Sequence, residues 1–351
     1  MNFLLRLLLI VLTVHLSAEK IETFYGSIDV EEPILLELIH SAPMQRLKKV
    51  HQYGVAYYTT HREEYNRFEH SLGVFTVLRL KGAALEEQIS GLLHDVSHTV
   101  FSHVGDWVFN KQCRDDDYQS IIFRFYLLAS GLEKILNKHG YTIEQVIPSK
   151  QRFAMLEQPL PNLCADRIDY NLQGAYYQNF ITKDEALEFL QDLRFAGGHW
   201  LTTRVDIAAK LTRFSLFMTE DCWSSPINHM QSKWLAEAIW HGFSIGLISW
   251  EEFHFGVDDN VWEKLCASKD TLVQDRMQKI HRPQDFCRCV EPAFADELVK
   301  FKSRGIDPWI LKDGNTARLT AMNAELAEAF EKVKLKAAHG WPIQQYVNEF
   351  E

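Results

Sequence analysis

The chain has 351 residues, of which 46% are hydrophobic and 24% charged, the composition of a folded globular protein with a sizeable core. Its 37 Lys and Arg residues are outnumbered by 47 Asp and Glu residues, which gives a formal net charge of −10. No long basic run is present to displace the counterions of duplex nucleic acid, so duplex DNA or RNA is excluded as the expected partner. A small phosphorylated molecule remains compatible with this charge, because a metal ion and a few arginines are enough to bind it.

The N-terminal segment, residues 1–18, carries an early positive charge, an apolar run over 7–16 and a closing Ser17-Ala18 pair. This pattern is typical of a secretory signal peptide, and the run is too short for a stable membrane span. If the segment is cleaved, we expect a periplasmic or secreted protein. The alternatives are an apolar helix packed on the domain or a start codon assigned too early, and both leave a cytoplasmic protein.

Apolar residues recur at helical spacing along most of the remaining chain, which predicts a mainly helical fold. The predicted helical segments are 34–39, 42–50, 65–82, 85–93, 118–128, a helix from 162, paired helices over 206–247, short helices over 250–270, and 317–338. Residues 51–58 are aromatic and interrupted by glycine, which favours a loop near the site. Residues 193–203 predict a hairpin with Gly197-Gly198 as its turn, and we expect no other substantial sheet.

Residues 91–106 contain the densest group of chemically competent side chains. They place five such residues within thirteen positions: His94, Asp95, His98, His103 and Asp106. The adjacent His94 and Asp95 offer an imidazole nitrogen and a carboxylate oxygen, which are both common metal ligands. If this segment is helical, His98 lies one turn beyond His94 on the same face.

The second half of this stretch predicts a change of direction. Phe101 and Ser102 suggest a kink or a new helix between the two groups of polar residues. His103 and Asp106 then form an i, i+3 pair that the kink could turn toward the first group.

Three segments resemble the motifs of the HD-domain phosphohydrolases: Asn66–Gly73, His94–His103 and Ala165–Tyr170. Each motif alone is moderately specific, and the three in this order and spacing are strongly specific. The narrower resemblance is to the branch of the deoxynucleoside triphosphate triphosphohydrolases, here an HD domain without a SAM domain, and it runs from about residue 25 to about 265. It implies an all-α fold with a helical HD core over 19–190. The region 191–351 is then a hairpin plus C-terminal helices packed on that core.

The resemblance implies one divalent metal ion and names its ligands: His70, His94, Asp95 and Asp166. Mixed imidazole and carboxylate ligands suit manganese, iron, nickel or zinc, with magnesium as a further option, and the sequence leaves the identity open. The implied reaction is attack by metal-bound water on a phosphorus of the substrate.

The same resemblance implies roles for seven further residues. The catalytic residues would be His98 and His103, which stabilise or protonate the phosphate, and Asp106, which holds an imidazole in position. The implied substrate contacts are Gln52, Arg67, Arg167 and Tyr170. As alternatives, Arg67 could pair with Glu69 and Arg167 with Asp169 as ordinary ion pairs on helix faces.

The chain departs from the family pattern at several positions. Ser97 stands where glycine is usual, and Thr99-Val100 stands where glycine-proline is usual. The family begins its next helix with a His-Glu pair, whereas residues 117–120 read Asp-Tyr-Gln-Ser, and Gly174 replaces a common aspartate. These departures predict a substrate pocket that differs from that of the typical family member.

The sharpest functional hypothesis is therefore a deoxynucleoside triphosphate triphosphohydrolase. The alternatives are a phosphatase or phosphodiesterase on another substrate, and an HD protein that binds a nucleotide without turning it over. In each case the expected partner is a small phosphorylated molecule, with a nucleotide as the first choice. A homo-oligomer fits what the resemblance implies, and nothing in the sequence tests it.

Overall fold

The computed structural model describes residues 18–60, 64–109 and 117–346. The predicted signal peptide lies outside these ranges except for its last residue. Among the described helices, none combines the length and the apolar character needed to cross a bilayer.

Helices dominate the described chain, which confirms the predicted mainly helical class. The first ten are α1 (Pro33–Ile39), α2 (Ala42–Arg46), α3 (Val55–Thr60), α4 (Arg67–Leu80), α5 (Leu85–Leu93), α6 (Val104–Val108), α7 (Tyr118–Ala129), α8 (Leu132–Lys138), α9 (Ile143–Val146) and α10 (Ala165–Tyr177). The remaining eight are α11 (Lys183–Asp192), α12 (Val205–Met218), α13 (Pro226–Ser244), α14 (Trp250–Phe255), α15 (Asp258–Ala267), α16 (Thr271–His281), α17 (Leu319–Met322) and α18 (Ala324–His339).

Three small sheets accompany the helices. Their strands are β1 (Glu19–Thr23), β2 (Gly26–Val30), β3 (Arg194–Ala196), β4 (His199–Thr202), β5 (Cys287–Cys289), β6 (Glu297–Val299), β7 (Trp309–Lys312), β8 (Asn315–Arg318) and β9 (Trp341–Gln345). The predicted hairpin is present as β3–β4, and both residues of its turn have positive φ, 60° at Gly197 and 79° at Gly198.

The described chain contains more strands than the single predicted hairpin. The β3–β4 hairpin is part of a four-stranded sheet of order β3-β4-β7-β8, β1 pairs with β2, and β5, β9 and β6 form a third sheet. The extra strands escape detection in the sequence because they are short and several pair over long distances. Leu201, for example, pairs in parallel with Trp309 more than a hundred positions away.

Helix α4 lies between two hydrophobic clusters and gives the site its rigid base. Phe75 belongs to a cluster with α1 and α5, whereas Val74 and Val77 belong to a second cluster with α10 and α12. A capping box fixes the start of α4, in which the Asn66 side chain accepts from the Glu69 amide and the Glu69 carboxylate accepts from the Asn66 amide. A helix buried on both sides and capped in this way holds its side chains in one orientation.

The C-terminal region packs on α10 and α11 through a shared hydrophobic cluster. Ile306, Ile310 and Leu326 lie in the same cluster as Leu172 and Phe189 of α10 and α11. The division at residues 190 and 191 remains a prediction.

Residues 94–103 are a series of turns, so the condition for placing His94 and His98 on one helix face is not met. Helix α5 ends at Leu93 and the chain continues with short i to i−3 hydrogen bonds. The Arg46 guanidinium stabilises these turns, because it donates to the carbonyls of Val96 and His98 at 3.2 and 2.5 Å.

The predicted kink is present at Phe101 and Ser102, which have φ of 59° and 54°. A side chain that sequence reasoning missed holds this left-handed turn: the buried Asp258 carboxylate accepts from the Phe101 amide at 2.8 Å and from the His51 amide at 2.9 Å. Left-handed backbone is unfavourable for phenylalanine, so the fold has to supply such a partner.

Candidate active site

The four predicted metal ligands come together from three helices. His70 projects from α4, His94 and Asp95 follow α5, and Asp166 lies in the first turn of α10. The Nε2 atom of His70 lies 3.2 Å from Nε2 of His94, 3.1 Å from Oδ1 of Asp166 and 3.5 Å from Oδ2 of Asp95. His70, His94 and Asp95 are all buried. The fold thus brings together residues that lie up to 96 positions apart in the chain.

The donor atoms of this group fit a divalent cation. The Nδ1 atom of His70 bonds to Oδ2 of Asp169 at 2.7 Å, and Nδ1 of His94 bonds to the Gly91 carbonyl at 2.7 Å. Because both partners are acceptors, each Nδ1 carries a proton, and an imidazole that gives up its Nε2 proton presents a lone pair there. The two Nε2 atoms lie 3.2 Å apart beside carboxylates, and together these atoms form a donor set that suits a divalent metal ion.

Asp169 is a site residue that sequence reasoning missed. The alternative of an ion pair with Arg167 does not form, and the fully buried Asp169 carboxylate accepts the Nδ1–H of His70. This carboxylate and imidazole arrangement fixes the ring of a metal-binding histidine. The i, i+3 spacing of Asp166 and Asp169 on one helix was the available signal, since both side chains lie on one face of α10.

The Arg67 guanidinium is buried and holds Asp95. It donates to Oδ2 of Asp95 at 2.5 Å and to Oγ of Ser102 at 2.9 Å. The alternative pairing with Glu69 does not form, because Glu69 belongs to the helix cap. Arg67 lines the cavity as well, and its contact with substrate stays a prediction.

The predicted catalytic residues lie beside the ligand group. Nε2 of His98 is 3.3 Å from Oδ1 of Asp95, and the rings of His98 and His103 meet edge to face with centroids 5.0 Å apart. Nδ1 of His103 lies 3.0 Å from Oδ2 of Asp106, whose other oxygen accepts from the Tyr118 amide at 2.7 Å. Asp106 is therefore placed to orient His103, and the catalytic roles of these residues stay predictions.

The surroundings of His98 and Asp106 shift the pKa of each group. Burial and the Arg67 guanidinium lower the pKa of His98 to about 4, so His98 is neutral at physiological pH in the metal-free protein. Burial of Asp106 favours its protonated form, but the hydrogen bond and charge of His103 outweigh it and lower the pKa of Asp106. Asp106 is thus held as a carboxylate beside His103.

A cavity of about 670 Å³ opens over the ligand group, and every predicted site residue except the buried His70 lines it. The Oε1 atom of Gln52 is buried in this wall without a hydrogen-bond partner among the described residues. The Arg167 guanidinium donates to the carbonyls of Gln158 and Asn162 at 2.7 and 2.8 Å. Burial raises the pKa of Tyr170 to about 12, and its ring meets Trp223 edge to face.

The departures from the family motifs are structurally coupled. The Ser97 hydroxyl, at the usual glycine position, donates to the backbone carbonyl and the Oε1 atom of Gln119 at 2.9 and 3.0 Å. Gly174 leaves no room for the common aspartate, because a Cβ there would lie 2.7 Å from the Phe214 ring and 3.2 Å from the Tyr53 hydroxyl. These departures thus contact residues that line the cavity, Gln119 and Tyr53.

Metal affinity is expected to rise with pH. Burial disfavours the imidazolium of His70, but its hydrogen bonds to Asp166 and Asp169 outweigh this and raise its pKa to about 10 in the metal-free protein. A metal ion must displace the Nε2 proton, so affinity should increase roughly tenfold per pH unit between about pH 6 and 8. Calorimetry in buffers of different ionisation enthalpy measures the released proton. A pH-independent affinity without proton release contradicts this assignment.

Asp258→Asn is expected to destabilise the Phe101 turn while leaving metal binding intact. One of the two amides that Asp258 accepts would face the asparagine NH₂ group, and an unsatisfied buried donor costs about 1–3 kcal/mol. None of the four ligands contacts Asp258, so Mn²⁺ affinity should stay within about twofold of wild type. Urea unfolding and metal titration measure the two effects. Wild-type stability contradicts the role given to Asp258.

Comparison with known proteins agrees with this geometry. The HD-domain family profile matches residues 67–171. The uncharacterized protein YdhJ of Bacillus subtilis is 34% identical over 320 residues, which are 91% of this chain and 96% of YdhJ. The metal-dependent phosphohydrolase cns2 of Cordyceps militaris is 36% identical over 211 residues, 58% of this chain and 60% of cns2.

Two more distant proteins are also similar to this chain, one in sequence and one in fold. The deoxynucleoside triphosphate triphosphohydrolase SAMHD1 of Danio rerio is 30% identical over 186 residues, 46% of this chain and 29% of that protein. A crystal structure of a hypothetical protein from Aquifex aeolicus superposes with a TM-score of 0.65 at 18% identity, covering 91% of this chain and 99% of that one, which shows a shared fold. Motifs, fold and relatives agree, and the chain belongs to the HD-domain family of metal-dependent phosphohydrolases.

Proposed function

We propose that the protein hydrolyses nucleotides that carry several phosphates, and in its sharpest form is a deoxynucleoside triphosphate triphosphohydrolase. The likeness to SAMHD1 supports the substrate class, although it covers less than half of this chain. The cationic residues of the cavity support the same substrate class independently of that likeness.

The observation that carries the proposal is a cationic wall, defined as Lys150, Lys300, Lys302 and Arg304. All four residues line the cavity that contains the ligand group. Among the described residues none of them forms an ion pair, whereas Arg67 in the same cavity is committed to Asp95. Cations without an ion-pair partner beside a metal site are suited to an extended polyanion, because they can bind the phosphates that lie beyond the one at the metal.

The cationic wall is built from outside the HD motifs. Residues 300–304 follow β6 in the C-terminal region, and Lys150 follows α9. The Ser215 hydroxyl accepts from the Ile306 amide at 3.1 Å, and the Thr219 hydroxyl accepts from the Arg304 amide at 3.3 Å, so α12 and the turn after it hold the end of this segment. In a chain of net charge −10, this grouping of cations is a local feature.

Within this proposal His70, His94, Asp95 and Asp166 hold one divalent cation. When bound, that ion supplies Lewis-acid activation of water and neutralises phosphate charge. Arg67 orients Asp95, His103 held by Asp106 donates a proton toward the leaving oxygen, and neutral His98 hydrogen-bonds a phosphate oxygen.

The nucleoside is proposed to lie toward Gln52 and Tyr170. The buried Oε1 atom of Gln52 lacks a donor among the described residues, and a sugar hydroxyl can supply one. Tyr170 and Trp223 offer aromatic surface at the same cavity. Loss of the family aspartate at Gly174 is expected to change the preference among substrates.

The test is product identification with purified protein loaded separately with Mn²⁺, Fe²⁺, Ni²⁺, Zn²⁺ and Mg²⁺. Substrates are deoxynucleoside and ribonucleoside triphosphates, nucleoside monophosphates and simple phosphoesters. The proposal expects release of inorganic triphosphate and a nucleoside. Turnover of monophosphates or simple esters alone would move the protein to the phosphatase alternative.

Neutralising the cationic wall makes the same test quantitative. Lys302→Gln combined with Arg304→Gln should reduce kcat/KM for triphosphates about 10-fold to 100-fold, and for a monophosphate ester much less, because it removes charge-assisted bonds to the distal phosphates. Lys312→Gln changes an exposed lysine of β7 outside the cavity and is the matched control. Equal losses on both substrates count against a polyphosphate-binding wall.

A further inference from the structure

The N-terminal β1–β2 hairpin precedes the HD-domain match, yet it reaches the metal centre. Its turn places the Tyr25 hydroxyl 2.8 Å from Oδ1 of Asp169, to which it donates a hydrogen bond. Asp169 in turn accepts the Nδ1–H of His70 through its other oxygen at 2.7 Å. A continuous path therefore links the hairpin turn to a candidate metal ligand across 144 positions of chain.

Tyr25 supplies an essential part of the environment of Asp169. The carboxylate has no exposed surface and accepts from three side chains, Tyr25, His70 and Gln173, the last at 3.0 and 2.9 Å to its two oxygens. Among the described residues no lysine or arginine forms an ion pair with it. A buried carboxylate depends on its hydrogen bonds, so loss of one of three donors should loosen its position.

The hairpin turn is clamped against the same helices. The Lys183 ammonium donates to the Phe24 carbonyl and lies 3.1 Å from the centroid of the Phe24 ring. That ring also packs edge to face on Tyr176 at the end of α10. These contacts place the hydroxyl of Tyr25 on the same face of α10 as Asp169, so its geometry depends on docking of the hairpin as a unit.

We propose that Tyr25 is a positioning residue of the metal centre, and that docking of the N-terminal hairpin and binding of the metal are coupled. Tyr25 orients Asp169, Asp169 orients the imidazole of His70, and His70 presents Nε2 to the ion. Thermodynamic linkage makes the coupling reciprocal, so a bound ion stabilises the docked hairpin by the same free energy. This inference rests on the proposed metal site and not on the identity of the substrate.

The test compares Tyr25→Phe with Tyr58→Phe, using Mn²⁺ and no substrate. Both changes remove a tyrosine hydroxyl bonded to a carboxylate and keep the ring, but Tyr58 bonds to Asp259, away from the ligands. Calorimetry should show the Mn²⁺ Kd of Tyr25→Phe raised roughly tenfold, at the low end of the 10-fold to 100-fold loss seen for outer hydrogen-bond partners of metal ligands. Tyr58→Phe should bind as wild type.

Amide hydrogen exchange supplies a second readout, which can be measured first in the wild-type protein with and without Mn²⁺. In the wild-type protein, Mn²⁺ should slow amide exchange over 19–30, and Tyr25→Phe should lose most of that protection. The coupling is overturned if Tyr25→Phe binds Mn²⁺ with wild-type affinity, or if Mn²⁺ does not change amide hydrogen exchange in the wild-type hairpin. Either result counts even when turnover is normal. Normal coupling with no hydrolysis of any phosphate substrate overturns the proposed function instead.

Discussion

Asp95→Ala is expected to abolish metal binding and turnover and also to destabilise the fold. Asp95 is a predicted ligand, so its loss should reduce activity to below about 1% of wild type. It is also the partner of Arg67, which is 3% exposed and would be left as a buried, unpaired charge. Removing one member of a buried pair costs about 3–5 kcal/mol. Urea unfolding, Mn²⁺ titration and phosphate release measure the three effects.

Asp166→Asn is expected to separate the loss of metal binding from the loss of stability. The Asp166 side chain is 28% exposed and its ion-pair partners among the described residues are the two ligand histidines. We therefore expect the same loss of metal and turnover with a change in stability below about 1 kcal/mol. If Asp95→Ala keeps bound metal, or if Asp166→Asn keeps full activity, the ligand assignment is wrong.

Gly73→Ala is expected to disrupt the site through a residue that touches no ligand. A Cβ at position 73 would lie 1.9 Å from Oδ1 of Asp169 and 2.8 Å from Nε2 of Gln173. Asp169 is buried and must move away, which removes the acceptor of the His70 Nδ1–H. We expect Mn²⁺ affinity to fall about 10-fold to 100-fold. Stability should fall by about 1–3 kcal/mol, since overpacking outweighs the helix propensity of alanine.

Gly242→Ala is the matched control for this change. Gly242 also lies within a helix, but its added Cβ would meet the flexible end of Ile248 at 3.1 Å, far from the ligands in the chain. It should leave Mn²⁺ affinity unchanged and shift stability by less than about 1 kcal/mol. Wild-type metal affinity in Gly73→Ala would show that Asp169 does not position His70.

Local sequence was sufficient for the motifs and the helices but not for the contacts between them. His70, His94, Asp95 and Asp166 could be assigned because each lies in a motif with matching neighbours, and the structure brings them together. The resemblance implied a substrate contact for Arg67, which stays a prediction, but it did not reveal the bond from its guanidinium to Asp95. The hydrogen-bond partner of a buried side chain depends on the tertiary fold, and the spacing of residues in the sequence does not reveal it.

The residues that sequence reasoning missed share this origin. Asp169, Asp258 and Tyr25 act through hydrogen bonds to residues 99, 157 and 144 positions away. The short strands were missed for a related reason, since β7 gains its parallel neighbour β4 only in the folded chain. By contrast, the β3–β4 hairpin and the Phe101 kink were predictable because glycine pairs and turn chemistry are local signals.

The central claim is that these four side chains hold one divalent cation. Anomalous diffraction at the manganese edge, from crystals of the metal-free protein soaked in Mn²⁺, tests it most directly. We predict one strong peak per chain, coordinated by Nε2 of His70, Nε2 of His94 and carboxylate oxygens of Asp95 and Asp166. A peak bound by other side chains, or no peak at full soaking, would contradict the claim.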